Sequence, residues 1–143
     1  MKVLFLDIDG VLNSMEFFAR LPSTRSMCEV DPKAVKRVLR VLEVTGAKLV
    51  LSSTWRLSAE LVERLRAVGL PIYDMTPSLG TEPRYKEIGA WLVEHMEATK
   101  YAIIDDDTDA EIKGRFVRTH PKYGMYGKHE KALIALLGEK ESA

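Results

Sequence analysis

The feature that most constrains this fold is a series of short apolar segments, each of which ends abruptly in polar residues. The first segment spans residues 2–6 and is followed by the string Asp7-Ile8-Asp9-Gly10. Short segments that are apolar at almost every position are typical of strands buried on both faces of a sheet. Since helical patterns separate these segments, the sequence predicts a Rossmann-like three-layer α/β/α sandwich around a mostly parallel central sheet.

The predicted elements alternate along the chain. Strands are expected at Lys2–Leu6, Lys48–Leu51, Leu70–Tyr73 (the weakest), Tyr101–Ile104 and Arg115–Thr119. Helices are expected from Pro32 to Gly46 with Asp31 as N-cap, from Ser58 to Gly69, over Arg84–Met96 and over Lys128–Leu137. Residues 11–30, with Pro22, Ser23 and Thr24, have no clear period and are interpreted as a loop or hairpin.

Composition limits the class of protein. The chain has 143 residues, which predicts a single domain over 1–143. Cys28 is its one cysteine, so a disulfide within the chain is excluded and a cytoplasmic location is expected. No apolar run approaches the roughly 20 residues that span a bilayer, and Asp7 interrupts any secretory signal pattern, so no membrane association is expected. Basic and acidic residues both number 21, so only a local basic patch could favour a polyanion.

Polar clusters follow three of the predicted strands. They are Asp7 with Asp9, the segment from Ser52 to Arg56, and the segment from Asp105 to Asp109. Parallel sheets bind ligands at the carboxyl ends of their strands, so we expect these clusters to converge. Carboxylates that converge repel one another unless a cation intervenes, and Mg²⁺ is the cation that an all-oxygen set favours. A solvated acidic rim and a phosphate-accepting receiver module are the alternatives, but a receiver module normally carries its acid pair and its phosphoacceptor on different strands.

Four strings resemble the motifs of haloacid dehalogenase (HAD) superfamily phosphohydrolases. They are Phe5-Leu6-Asp7-Ile8-Asp9-Gly10-Val11-Leu12, Leu49-Val50-Leu51-Ser52-Ser53, Arg84 before Glu87-Ile88-x-x-Trp91-Leu92, and Ile103-Ile104-Asp105-Asp106. Their order and spacing match, and the resemblance extends from Lys2 to Leu137. Within the superfamily, the chain is most similar to the small phosphatase domains of RNA-repair proteins. The gaps at residues 11–30 and 55–83 are too short for a folded cap domain of about 50 residues, so a capless domain is expected.

The resemblance implies a role for each motif. Asp7 would be the nucleophile, and Asp9 would be the general acid and base whose main-chain carbonyl also binds the metal. Ser52 would bind a phosphoryl oxygen, and Arg84 would supply positive charge, with Lys86 as a rival for that role.

The remaining acids complete the implied metal site. Asp105 and Asp106 would hold Mg²⁺ together with Asp7 and Asp9, and which of Asp105 and Asp106 is the direct ligand stays open. Asp109 has the spacing of a further acid behind them.

Substrate contacts are expected from Ser53, Trp55 and Arg56, with the tryptophan stacking on a base and the arginine holding a neighbouring phosphate. The alternative is that Trp55 packs into the core and Arg56 pairs with an acid. The function predicted from the resemblance is a Mg²⁺-dependent phosphohydrolase acting through an aspartyl-phosphate on a nucleic-acid 3′-phosphate. The resemblance also raises a repair kinase or ligase as a candidate partner, and whether one acts alongside is left open. A mononucleotide 5′-nucleotidase and an idle phosphate- or nucleic-acid-binding module are the alternatives, and the oligomeric state is left open.

Overall fold

The computed structural model describes residues 1–22 and 27–141. Its strands are β1 (Lys2–Leu6), β2 (Lys48–Leu51), β3 (Ile72–Met75), β4 (Lys100–Asp105) and β5 (Phe116–Arg118). Its helices are α1 (Met15–Ala19), α2 (Pro32–Thr45), α3 (Ala59–Ala67), α4 (Arg84–Val93) and α5 (Gly127–Leu137). The strands form one sheet in the order β3-β2-β1-β4-β5, and all neighbouring pairs are parallel. The predicted fold class is confirmed.

Both faces of the sheet are covered because successive side chains of a strand point to opposite faces. In β1, Leu4 and Leu6 pack into a core with α2, α3 and α5. The alternate residues Val3 and Phe5 pack on the other face against α4, where Trp91 meets the Phe5 ring edge-on at a centroid distance of 5.5 Å. This alternation produces the three layers.

Local sequence signals set the helix ends as predicted. Asp31 caps α2 by accepting a hydrogen bond from the Lys33 backbone N–H at 2.9 Å, and Pro32 is its first residue. The helix ends at Gly46, whose φ of +74° favours glycine. Ser58 likewise caps α3 through the Leu61 N–H at 3.3 Å.

The structure differs from the prediction by more than one residue in three places. The segment expected as loop or hairpin contains the short helix α1, capped by Ser14, while Ser23 and Thr24 lie outside the described residues. β3 begins at Ile72 because Leu70 is still bonded to the end of α3, its N–H donating to Leu65 at 3.2 Å. α4 ends at Val93 rather than Met96.

The parallel topology brings the carboxyl ends of all five strands to one edge, which we call the carboxyl edge. The segments that follow β1, β2 and β4 lie there side by side. Between β1 and α2, the only helix in the described residues is the short α1. Within residues 1–22 and 27–141, no helix is long and apolar enough to cross a membrane.

Candidate active site

Three carboxylates meet at the carboxyl edge. Asp7 directly follows β1, Asp105 ends β4 and Asp106 comes next, and one oxygen of each lies within 4.8 Å of the others. The sheet hydrogen bonds continue into this region, since the Asp7 N–H donates to the Ile104 carbonyl at 3.1 Å. The backbone that carries the carboxylates is therefore fixed by the same ladder that forms the sheet.

Arg84 is the cation that faces these acids. Its Nη1 lies 3.2 Å from Asp7 Oδ1 and 2.9 Å from Asp105 Oδ2, and its side chain is 17% exposed. The Arg84 backbone N–H, in the first turn of α4, donates to Asp109 Oδ2 at 3.3 Å. Lys86 points elsewhere, because its Nζ pairs with Glu82 at 3.1 Å on the half-exposed outer side of the helix. Of the two rival cations, the structure brings Arg84 to the carboxylates.

The single positive charge of Arg84 does not balance three carboxylates. Burial, and then the neighbouring Asp105 charge, raise the pKa of Asp7 to about 9, against the opposing effect of Arg84. Burial, and then the hydrogen bond and charge of Asp105, raise the pKa of Asp106 to about 6. At neutral pH Asp7 therefore retains a proton that a divalent cation would displace. This deficit of positive charge, together with the all-oxygen donors, fits Mg²⁺ or a similar hard cation.

Gly10 leaves room for the second acidic segment. It has a φ of +83°, and a Cβ at this position would overlap the Asp106 carboxylate. Its carbonyl accepts a hydrogen bond from the Thr119 hydroxyl at 2.7 Å. The turn after β1 is therefore packed directly against both the β4 and β5 ends.

Ser52 supplies a hydroxyl with no partner within residues 1–22 and 27–141. Its N–H donates to the Leu6 carbonyl at 3.0 Å, which extends the β1–β2 pairing by one residue. Its Oγ is completely buried and makes no hydrogen bond to any residue that the structure describes. Buried hydroxyls are normally paired, so this one is available to a bound group such as a phosphoryl oxygen.

This geometry agrees with a comparison against known protein families. Residues 3–129 match the family described as the HAD domain in Swiss Army Knife RNA repair proteins. The chain belongs to this family. A search of curated proteins and a search of solved structures each found no match. Membership indicates a phosphohydrolase of the HAD type and confirms the resemblance drawn from the sequence.

The HAD site also contains Asp9, which lies apart from the three clustered carboxylates. Asp9 is exposed, and each of its oxygens accepts one side-chain hydrogen bond. Asn13 Nδ2 donates to Oδ1 at 3.0 Å, and Trp55 Nε1 donates to Oδ2 at 3.1 Å. Asn13 Oδ1 in turn accepts the Gly10 N–H at 2.9 Å. Asp9 is therefore held in one orientation by two neighbours.

Trp55 and Ser53 face the protein rather than open solvent. Trp55 is 5% exposed, and its indole N–H is used by Asp9. The Ser53 hydroxyl accepts the Trp55 backbone N–H at 3.1 Å and so caps the 3-10 turn at Thr54–Leu57. Little of the Trp55 ring is open to a stacking base and its indole N–H is already used, so the structure favours an orienting role for it.

Arg56 is a structural residue in this HAD domain. Its five N–H donors reach Glu87 Oε2 at 3.0 Å and the carbonyls of Thr76, Ser52, Ser53 and Pro77 at 2.9–3.2 Å. Its side chain is 4% exposed. The expected contact with a substrate phosphate therefore has no free donor, and Arg56 instead ties the β2 and β3 ends to α4.

Sequence reasoning missed Asn13, Glu87 and Thr119. Asn13 lies three residues after Gly10, a spacing that allows its amide to close a turn, and this was the one available signal. Glu87 and Thr119 reach the site through tertiary contacts with Arg56 and Gly10, which the sequence does not reveal.

A pocket of about 500 Å³ opens beside Asp9 and Asp106. Its walls are largely apolar and include Met15, Phe18 and Trp55. Space is therefore open next to one of the three clustered carboxylates, Asp106, and next to Asp9.

Proposed function

We propose that this chain is a Mg²⁺-dependent phosphatase that removes a terminal phosphate, favouring the 3′-phosphate of a nucleic acid, through a covalent aspartyl-phosphate. The observation that carries the proposal is the meeting of Asp7 with Arg84, Asp105 and Asp106 at the carboxyl edge. The nucleic-acid end is supported by the description of the family as a domain of RNA repair proteins.

The first step forms a bond between an Asp7 carboxylate oxygen and phosphorus. The bond from phosphorus to the leaving oxygen breaks, and Asp9 gives that oxygen a proton. Arg84, at 3.2 Å from Asp7, holds the nucleophile and stabilises the added charge on the phosphoryl group. The unpaired Ser52 hydroxyl donates to a phosphoryl oxygen.

The second step hydrolyses the aspartyl-phosphate and returns the enzyme to its starting state. Asp9 takes a proton from water, the water oxygen attacks phosphorus, and the bond to Asp7 breaks to give inorganic phosphate and a free carboxylate. Asn13 and Trp55 keep the Asp9 carboxylate oriented in both steps. Asp7, Asp105, Asp106 and the main-chain carbonyl of Asp9 are the groups that would hold Mg²⁺. Bound there, the metal would keep Asp7 ionised and offset charge on the phosphoryl oxygens.

The test is phosphate release from a panel of substrates, with Mg²⁺ and with EDTA. The panel contains oligonucleotides with a 3′- or a 5′-phosphate, mononucleotides, a phosphopeptide and an aryl phosphate. We expect Mg²⁺-dependent release that is fastest from 3′-phosphorylated oligonucleotides. Preferred release from 5′-mononucleotides would favour a nucleotidase, and no release from any substrate would favour an idle binding module.

Two variants connect that activity to the cluster. Asp7→Asn should abolish release, because an amide cannot attack phosphorus. Asp107→Asn is the matched control: it neutralises an acid next to the cluster whose Oδ1 accepts the Asp109 N–H at 3.0 Å, so it should retain activity. Full activity in the Asp7 variant would overturn the proposal.

A further inference from the structure

We propose that a single-stranded nucleic acid lies along a surface formed by two exposed tyrosines and a basic stripe on α2. This inference rests on the proposed function, and it states where the polynucleotide contacts the protein beyond the phosphate that is removed. The tyrosine pair is Tyr123 and Tyr126; the basic stripe is Lys33, Lys36, Arg37 and Arg40.

The tyrosine pair belongs to the loop between β5 and α5, which borders the active site. Pro121 of this loop lines the 500 Å³ pocket beside Asp9, and its carbonyl accepts the Met15 N–H at 3.0 Å. The Met125 N–H donates to the Val11 carbonyl at 2.8 Å, in the turn after β1. The loop is therefore fixed to the elements that carry Asp7 and Asp9.

Both tyrosines offer a ring to solvent. Tyr123 is 50% exposed and Tyr126 is 40% exposed. A lysine lies over each ring: Lys122 Nζ is 5.4 Å from the Tyr123 centroid, and Lys128 Nζ is 5.2 Å from the Tyr126 centroid. Exposed aromatic rings with cations beside them are the combination that binds single strands, since bases stack on the rings and phosphates pair with the cations.

The basic stripe continues from this loop. Residues 33, 36, 37 and 40 recur at helical spacing, so their side chains share one face of α2, and they line a groove of about 390 Å³. Arg37 lies next to Gly127, the first residue of α5, which follows Tyr126 directly. Glu130 lines the same groove and pairs with Arg40 at 3.7 Å. The groove is lined by the four basic residues of the stripe and one acid, Glu130, so it carries a positive charge. The net charge of the whole chain, by contrast, is zero.

The chain links these features in order. Pro121 lines the pocket beside Asp9, Lys122 and Tyr123 follow it, and Tyr126 precedes Gly127, which lies next to Arg37 of the stripe. The stripe spans about 10 Å along its helix, so the surface as a whole accommodates several nucleotides. A mononucleotide would occupy only the pocket, and a longer strand would gain contacts on the surface. A polyanion is favoured over a neutral partner because the cations alternate with stacking rings.

The experiment measures binding of a fluorescein-labelled octanucleotide with a 3′-hydroxyl by anisotropy, which requires no catalysis. We expect Tyr123→Ala to weaken binding by about tenfold, the loss of one stacked base. Lys36→Glu should weaken it and make the salt dependence of log K shallower by about 0.7, the value for one phosphate contact on a single strand. Hydrolysis of an aryl phosphate should be unchanged in both variants.

Matched controls are available on the same protein. Tyr73 is also half-exposed, and Lys48 Nζ lies 5.8 Å from its ring, but this pair lies on β3 and the amino end of β2. Lys113 is an exposed lysine in the turn before β5. Tyr73→Ala and Lys113→Glu should leave octanucleotide binding unchanged. Equal losses in the controls, or no loss in Tyr123→Ala and Lys36→Glu, would overturn the inference.

Two further outcomes separate this inference from the proposed function. Normal aryl phosphate hydrolysis without octanucleotide binding would overturn the surface and leave the phosphatase intact. Binding that depends on Tyr123 and Lys36, in a protein without hydrolysis, would support the surface and overturn the phosphatase. If a polyglutamate peptide bound equally well and lost affinity in the same variants, the surface would belong to an acidic protein instead.

Discussion

Replacing Asp7 with asparagine should stabilise the metal-free protein while it abolishes activity. Asp7 is 5% exposed and lies in the same cluster as Asp105 and Asp106. An asparagine has nearly the same shape but no charge, so the variant removes the repulsion without leaving a cavity. Arg84 would keep an acidic partner in the variant, because its Nη1 also lies 2.9 Å from Asp105 Oδ2.

The size of the effect follows from the pKa of Asp7, which folding raises from 3.8 to about 9. A raised carboxyl pKa costs nothing at low pH, where the group is protonated in both states. The cost grows as the pH rises above the unfolded value, until it levels off near the folded value. At pH 7, about 3 pH units above the unfolded value, the cost is about 4 kcal/mol. Asp7→Asn should recover up to that amount in EDTA at pH 7 and almost none at pH 4.

The assay is urea denaturation of wild type and Asp7→Asn in EDTA at both pH values. Asp9→Asn is the control: it should also lose activity, but its side chain is exposed and bound by two N–H donors, so it should not gain stability. An Asp7→Asn variant that is no more stable than wild type at pH 7, or whose gain is the same at pH 4, would refute the electrostatic reasoning.

Three further outcomes test the remaining contacts. Mg²⁺ should raise the unfolding free energy of the wild type by about 2.7 kcal/mol at a hundredfold excess over its Kd, measured by urea denaturation, and no shift would exclude a metal site. Arg56→Ala should lower the free energy of unfolding by about 3–5 kcal/mol in the same assay, because buried Glu87 loses its cation. A variant that is as stable as wild type but binds nucleotides more weakly would instead show that Arg56 contacts the substrate. Trp55→Phe should slow hydrolysis of alkyl phosphates more than aryl phosphates, since Asp9 would protonate the leaving group less effectively. Equal slowing of both substrates would contradict this role.

The sequence predicted the sheet because its strands are short, apolar and bounded by clear signals. Asp31-Pro32 began α2, and the carboxylates after β1 and β4 converged as the parallel topology required. The short helix α1 was missed because its pattern is too brief to show a period.

The orientation of side chains was beyond the reach of the sequence. Trp55 and Arg56 follow β2 at the mouth of the site, where either direction is compatible with the chain. The Arg56 direction depends on Glu87, which is 31 residues away, and the Trp55 direction depends on Asp9, 46 residues away. Residue types at a strand end therefore predicted the place of the site but not which side chains would turn inward.

The bond between Trp55 and Asp9 also gives the protein an optical reporter. The chain has two tryptophans, and the other, Trp91, lies on the far face of the sheet, where it donates to Asp74 at 2.8 Å and stacks on His95 at 3.7 Å. In a Trp91→Phe background, emission would come from an indole whose N–H touches the proposed proton donor. Phosphate, metal or an oligonucleotide arriving at Asp9 could then be followed by fluorescence in real time, without an attached dye.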